Sequence, residues 1–188
     1  MKKILIAGDS FAADWTRKYD GSGWVNMLSN DFEVKNIAQA GVSEYKIYKQ
    51  LEKENVSKFD YILISHTSPY RIPVVKHPIH SNDILHYNCD LIYADLKTHE
   101  KNSIAKIGVD FFENLFDVEY FIFTYELIIN KILTEYPNAI NITFFDSFKN
   151  EKIYGFEDVY LKNVGLMNHM NDNGNKIVYD KIKNLIHE

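Results

Sequence analysis

Lys2-Lys3-Ile4-Leu5-Ile6-Ala7-Gly8-Asp9-Ser10-Phe11 decides how this chain is read. Ile4 to Ala7 form a short apolar strand, and Gly8-Asp9-Ser10 turns the chain at its end. In open α/β sheets, ligands bind beyond the carboxyl ends of the strands. The turn therefore lifts a serine to a place where chemistry can be done. A serine there becomes a nucleophile once a histidine reaches it. The far end of the chain carries Asn168-His169-Met170-Asn171-Asp172-Asn173-Gly174-Asn175. The two ends read as two halves of one site.

Outward from this turn, strand and helix signals alternate. Gly23 to Leu28 reads as a short helix with Trp24, Met27 and Leu28 on one face, and Phe32 to Ile37 as a second strand. Small residues lead from it through Gly41 to Ser43, which is placed to cap a helix bearing Ile47 and Leu51 and running to about Glu54. Asp60 to Ser65 is nearly all apolar, as in a parallel strand buried on both faces. From Lys101, apolar residues at helical spacing predict one long helix or two in series, ending before Pro137. Ala139 to Phe145 reads as a late strand, Ser147 to Met167 as irregular, and Asn171 or Asp172 as the cap of a last helix. This alternation predicts one domain over residues 1–188, a three-layer α/β/α sandwich with a central parallel sheet.

Residues 66 to 100 break the rhythm. They hold three of the four prolines and five of the seven histidines, and read as a long irregular insertion with at most one helical turn. His66, His77, His80, His86, Cys89, Asp90, Asp95 and His99 invite a metal reading, but no tight ligand spacing or Cys-x-x-Cys pair accompanies them. The expectation is no metal and no cofactor, with this segment a loop or a substrate lid.

Bulk properties narrow the class. A formal charge of −5 with no basic run gives no nucleic-acid surface. No apolar stretch approaches the length of a membrane span, and Ile4 to Ala7 is too short for a signal-peptide core. Lone Cys89 excludes an internal disulfide and fits a reducing compartment. Cytoplasmic localisation is the expectation. Surplus aromatics in residues 111 to 125 read as core, with a homodimer face as the alternative.

Gly8-Asp9-Ser10, a glycine after the second strand and a histidine before the last helix together resemble the SGNH (GDSL) hydrolase family, whose short blocks supply Ser, Gly, Asn and His. The resemblance implies Ser10 as nucleophile, His169 as base, and an oxyanion hole from the backbone amides of Ser10 and Gly41. The third block departs: Ser65-His66-Thr67-Ser68-Pro69-Tyr70-Arg71 has no asparagine. Thr67, Ser68, His66 and Arg71 are substitutes for that donor, with Ser68 favoured by register. Asp9, Phe11, Thr67 and Arg71 are assigned to substrate binding. Trp15 and Arg17 either line a pocket or are structural. The family's aspartate three residues before the histidine falls on Leu166, which cannot orient an imidazole. A backbone carbonyl, Asn168, Asp146 and Asp158 are the alternatives.

The resemblance implies a serine-dependent esterase or O-acyltransferase acting on small acyl esters, acetyl on carbohydrate among them, as in polysaccharide biosynthesis. The departures keep a second class open, a catalytically inactive carbohydrate- or partner-binding module on the same fold. A flavodoxin-like nucleotide binder is disfavoured, because the first turn lacks a glycine-rich phosphate cradle.

Overall fold

The computed structural model describes residues 1–18, 23–146, 148–165 and 169–187. Its sheet has five strands: β1 (Lys3–Gly8), β2 (Glu33–Asn36), β3 (Tyr61–His66), β4 (Ile140–Thr143) and β5 (Ile153–Gly155). All pair in parallel, in the order β2-β1-β3-β4-β5. The helices are α1 (Trp24–Leu28), α2 (Glu44–Glu52), α3 (Tyr93–Thr98), α4 (Ser103–Asn114), α5 (Val118–Glu135), α6 (Glu157–Lys162) and α7 (Asp172–His187).

The two-residue period of β1 builds both halves of the core. Ile4 and Ile6 face one way, packing with Trp24 and Leu28 of α1 and Val178, Ile182 and Ile186 of α7. Leu5 and Ala7 face the other way, against Ile47 and Leu51 of α2 and Ile132 of α5. Both faces of β1 are thus covered, as its continuous apolar run requires. The chain leaves β1 for β2 on one side, then returns to β3 on the other. That reversal makes a topological switch point at the carboxyl ends of β1 and β3, the place where such sheets take ligands. Gly8 lies opposite Ser65 across the β1–β3 pair, and both strand ends are buried.

Two expectations need correction, and one left between alternatives is decided. Residues 147 to 167 are not all irregular: β5 and α6 lie there. With three and six residues, both are too short for periodicity to reveal, and β5 bonds to β4 on one side only. The series from Lys101 is two helices, α4 and α5, separated at 115–117, where Asp117 caps α5 by accepting from the Tyr120 amide at 3.0 Å. Ser43 sits at the start of α2 but makes no side-chain cap. Its amide instead donates to the buried Asp90 at 2.8 Å, which joins α2 to the insertion. The insertion is largely irregular, with α3 and an isolated Ile72–Leu91 bridge as its ordered pairing.

Candidate active site

The turn after β1 is built by Asp9, and local chemistry explains its shape. The Asp9 carboxylate accepts from the Phe11 amide at 3.1 Å, and the Ala12 amide closes on the Asp9 carbonyl at 3.2 Å. Asp9 also accepts from the Ser65 hydroxyl at 3.3 Å and faces the Arg71 guanidinium at 3.4 Å. Burial raises the Asp9 pKa, against the pull of Arg71 and of the amide. Gly8 has φ +151°, and a Cβ there would meet the Ser65 Cβ at 2.6 Å. Gln50 of α2 clamps Gly8 from both sides, accepting from its amide at 2.9 Å and donating to its carbonyl at 3.1 Å. Ser10 follows, 9% exposed.

His169 sits just before α7. The Val164–Met170 bridge and the Asn171 amide on the Asn163 carbonyl, at 2.8 Å, pin the segment that carries it. Its ring lies between Phe11 and Trp15, with centroids 5.0 and 4.4 Å away. Trp15 donates its indole N–H to the Ser10 carbonyl at 2.7 Å. One side chain therefore touches both the serine turn and the histidine. Leu166 and Asn168, considered above as orienting positions, lie outside the described residues. Asp146 and Asp158 are exposed and face Lys149 and Lys162.

Gly41 has φ +77°, a left-handed conformation that favours glycine. A Cβ there would fall 2.6 Å from the Cys89 Cβ, so the insertion packs on this loop. Burial pushes the Cys89 thiol up to about 12, which leaves no thiolate for nucleophilic attack.

The third block is occupied by internal bonds. His66 is fully buried; its Nδ1 faces a Glu44 carboxylate oxygen at 2.7 Å, and its Nε2 faces Asn141 Oδ1 at 3.0 Å. The Asn141 amide is held in that orientation because its Nδ2 donates to the Ala139 carbonyl at 2.9 Å. Both ring nitrogens thus meet acceptors, an arrangement that favours the protonated ring. Burial opposes that charge, but Glu44 and Asn141 outweigh it and raise the pKa. The Thr67 amide donates to Glu44 at 3.1 Å, and its carbonyl accepts from the Tyr125 hydroxyl at 2.7 Å. Arg71 donates to the Val42 carbonyl at 3.0 Å. His66, Arg71 and the Thr67 backbone are therefore committed to the framework, whereas the Thr67 hydroxyl is buried with no hydrogen-bond partner among the described residues and Ser68 is half-buried.

The assignment of Asp9, Phe11, Thr67 and Arg71 to substrate binding meets a physical obstacle. All four are buried, from 0% to 8% exposed. Asp9 and Arg71 brace the turn, and Phe11 stacks on Phe144 with ring centroids 4.4 Å apart. Sequence reasoning missed Glu44, Gln50, Tyr125 and Asn141, which carry the buried polar network with Asp90, a residue considered only as a metal ligand. On a helix or strand such residues read as solvated, and no spacing signal marked them. A cleft of about 490 Å³ opens beside the turn, lined by Ala13, Asp14, Gln39, Lys46, Tyr87 and Asn88 among others.

No protein-family profile matches the sequence, and no curated protein does. Solved structures do match in shape. A protein assigned to the G-D-S-L lipolytic family from Desulfitobacterium hafniense DCB-2 aligns over 98% of this chain and 99% of its own, with a TM-score of 0.51 at 12% identity. A catalytic mutant of Axe2, an acetylxylan esterase from Geobacillus stearothermophilus, aligns over 98% of this chain and 94% of its own, with a TM-score of 0.45 at 12% identity. The chain shares its parallel-sheet α/β fold with the Desulfitobacterium protein; at that identity the likeness speaks for the fold alone. Among the described residues, no helix is long and apolar enough to cross a membrane.

Proposed function

We propose that this chain is a serine-dependent ester hydrolase or O-acyltransferase, with Ser10 as nucleophile and His169 as base. The observation that carries the reading is Trp15, whose N–H holds the Ser10 carbonyl while its ring packs on His169. A serine hydroxyl is a weak nucleophile until a base takes its proton and donors meet the developing oxyanion. In this mechanism His169 accepts the Ser10 proton as Oγ attacks the acyl carbon. The amides of Ser10 and Gly41 and the hydroxyl of Ser68 receive the oxyanion. His169 then protonates the departing alkoxide. Water or a second hydroxyl releases the acyl group by the same steps in reverse. In this proposal the tilted packing of Phe11 and Trp15 helps to hold the imidazole in place.

The substrate class in this proposal is a small acyl ester of carbohydrate, with the 490 Å³ cleft receiving the acceptor. A single domain acting in the cytoplasm on polysaccharide precursors completes the reading. Hydrolysis of p-nitrophenyl acetate by wild type and Ser10→Ala, with and without sugar acceptors, tests it. The expected result is turnover that Ser10→Ala abolishes, with acceptors diverting the acyl group if the protein is a transferase. Equal rates in the two proteins would defeat the proposal. One observation favours the second reading, an inactive binding module: His66 and Arg71, two of the third block's candidate donors, are consumed by Glu44, Asn141 and the Val42 carbonyl, so the block offers fewer donors to an oxyanion. Lost donors of this kind cost about 2.7–4 kcal/mol of barrier each.

A further inference from the structure

The aromatics of residues 111 to 125 do not all reach the core. Only Tyr125 among them is buried, and Tyr120 and Phe123 are exposed. Helix α5 shows the reason. Tyr125, Ile129, Ile132 and Leu133 take its inner side. Tyr120, Phe123 and Leu127 keep the same three-and-four spacing on the opposite side, in water. Further along, that outer side turns polar, with Asn130, Lys131 and Thr134.

Helix α4 carries a matching row. Its Ala105, Gly108 and Val109 are buried beside Leu96 of α3. Ile104, Ile107 and Leu115 keep helical spacing on a neighbouring side and are exposed. Packed rings join the two rows across residues 115–117: the Phe116 centroid lies 4.9 Å from that of Phe112 and 4.4 Å from that of Phe121. The six outward side chains are between 53% and 72% exposed. A fully exposed Leu or Ile offers about 130 Å² of apolar surface, and a Phe or Tyr about 200 Å². Together the six leave about 550 Å² of it in water. Single exposed apolar residues are ordinary, but a joined patch of this size marks a contact site.

We propose that this α4–α5 face is where two copies of the chain meet. Each partner in a standard interface contributes about 800 Å², of which about 60% is apolar. The patch supplies that apolar share. None of its six positions is charged, and neighbouring charges are met within the chain: Lys106 by Asp110 at 3.3 Å, and Glu113 by Tyr93 at 2.8 Å and Lys97 at 3.1 Å. A partner recognised by charge finds little to hold there. An anionic membrane calls for Lys or Arg beside an apolar face. The two helices instead carry Asp110, Glu113, Glu119, Glu126 and Glu135 against Lys106 and Lys131. A second copy presents the same neutral surface, and a twofold axis closes the pair with no patch left over. These helices carry neither Ser10 nor His169, so the pairing stands apart from the ester-bond proposal.

Sedimentation equilibrium of the full chain across micromolar concentrations tests this. The expected result is a mass twice the 22.0 kDa of one chain. Phe123→Glu and Leu127→Glu, both at exposed positions, should each weaken the pair at least about thirtyfold. Val75→Glu, fully exposed outside the patch, should leave it unchanged, and Ser10→Ala should pair as wild type does whatever its activity. Far-UV circular dichroism checks that the variants fold. Hydrogen exchange needs no variant: amide protection over residues 104–127 of the wild type should rise with concentration. A wild type that stays monomeric, a dimer equally tight in Phe123→Glu and Leu127→Glu, or protection there that ignores concentration would overturn the proposal. So would a monomer that binds phosphatidylserine vesicles and loses them in Phe123→Glu.

Discussion

Raising the pH should weaken this protein through one buried ring, His66. Both of its nitrogens face acceptors, at 2.7 Å and 3.0 Å, and its folded pKa lies above the ordinary 6.5. A raised pKa means that the native state holds a proton after the unfolded state has lost it. The stabilisation is therefore complete below about pH 6.5 and drains away as pH rises towards the folded pKa. Across that window the loss is about 1.4 kcal/mol per pH unit. Against a total stability of about 5–15 kcal/mol, one unit is readily measured. Urea unfolding at about pH 6, 7 and 8 for wild type and His66→Gln separates this ring from other titrating groups. The variant should lose the slope. It should also be weaker at low pH by about 3–5 kcal/mol, the cost of leaving the buried Glu44 carboxylate without its partner. Nitrogen-15 spectra of the wild-type histidines give a check that needs no variant: His66 should keep both nitrogens protonated to a higher pH than an ordinary imidazole. A His66 that loses its proton at or below the ordinary pH, or equal slopes in the two proteins, would refute the reasoning.

Two other substitutions test the frame around the serine. Gly41→Ala forces a Cβ into a left-handed position 2.6 Å from Cys89, so a loss of about 2–4 kcal/mol is expected from the backbone and clash terms together; a thermal melt within a degree of wild type would contradict this. Trp15→Phe keeps a ring beside His169 but removes the N–H on the Ser10 carbonyl, and misplacing the serine by a fraction of an ångström should slow its acylation by about ten- to a hundredfold. An unchanged rate in a folded Trp15→Phe protein would show that the contact does not position the turn.

Much of the fold was legible because β1 and β3 are short apolar runs and the helices carry strong periodicity. The Gly8-Asp9-Ser10 turn was legible for a local reason, since Asp9 shapes it through the Phe11 amide two residues on. What escaped was the long-range polar network. Glu44 looks like an ordinary acidic residue in a first helical turn, yet it is 3% exposed and bound to His66 and Thr67. Asn141 and Gln50 act only because β4 and α2 fall against β3 and β1. Nothing in residues 40 to 55 announces that one side chain will clamp Gly8. His77, His80 and Asp95 stood out by residue type, but their proximity is made by the path of an irregular segment, which no periodicity encodes.

The account rests on a working pair drawn from opposite ends of the chain. Reaction with a fluorophosphonate probe, followed by mass spectrometry of the labelled peptide, tests this most directly. Modification at Ser10, absent in Ser10→Ala and strongly slowed in a folded His169→Ala protein, is the predicted result. A folded wild type that takes up no label, or takes it up at Ser10 equally well without His169, would contradict it.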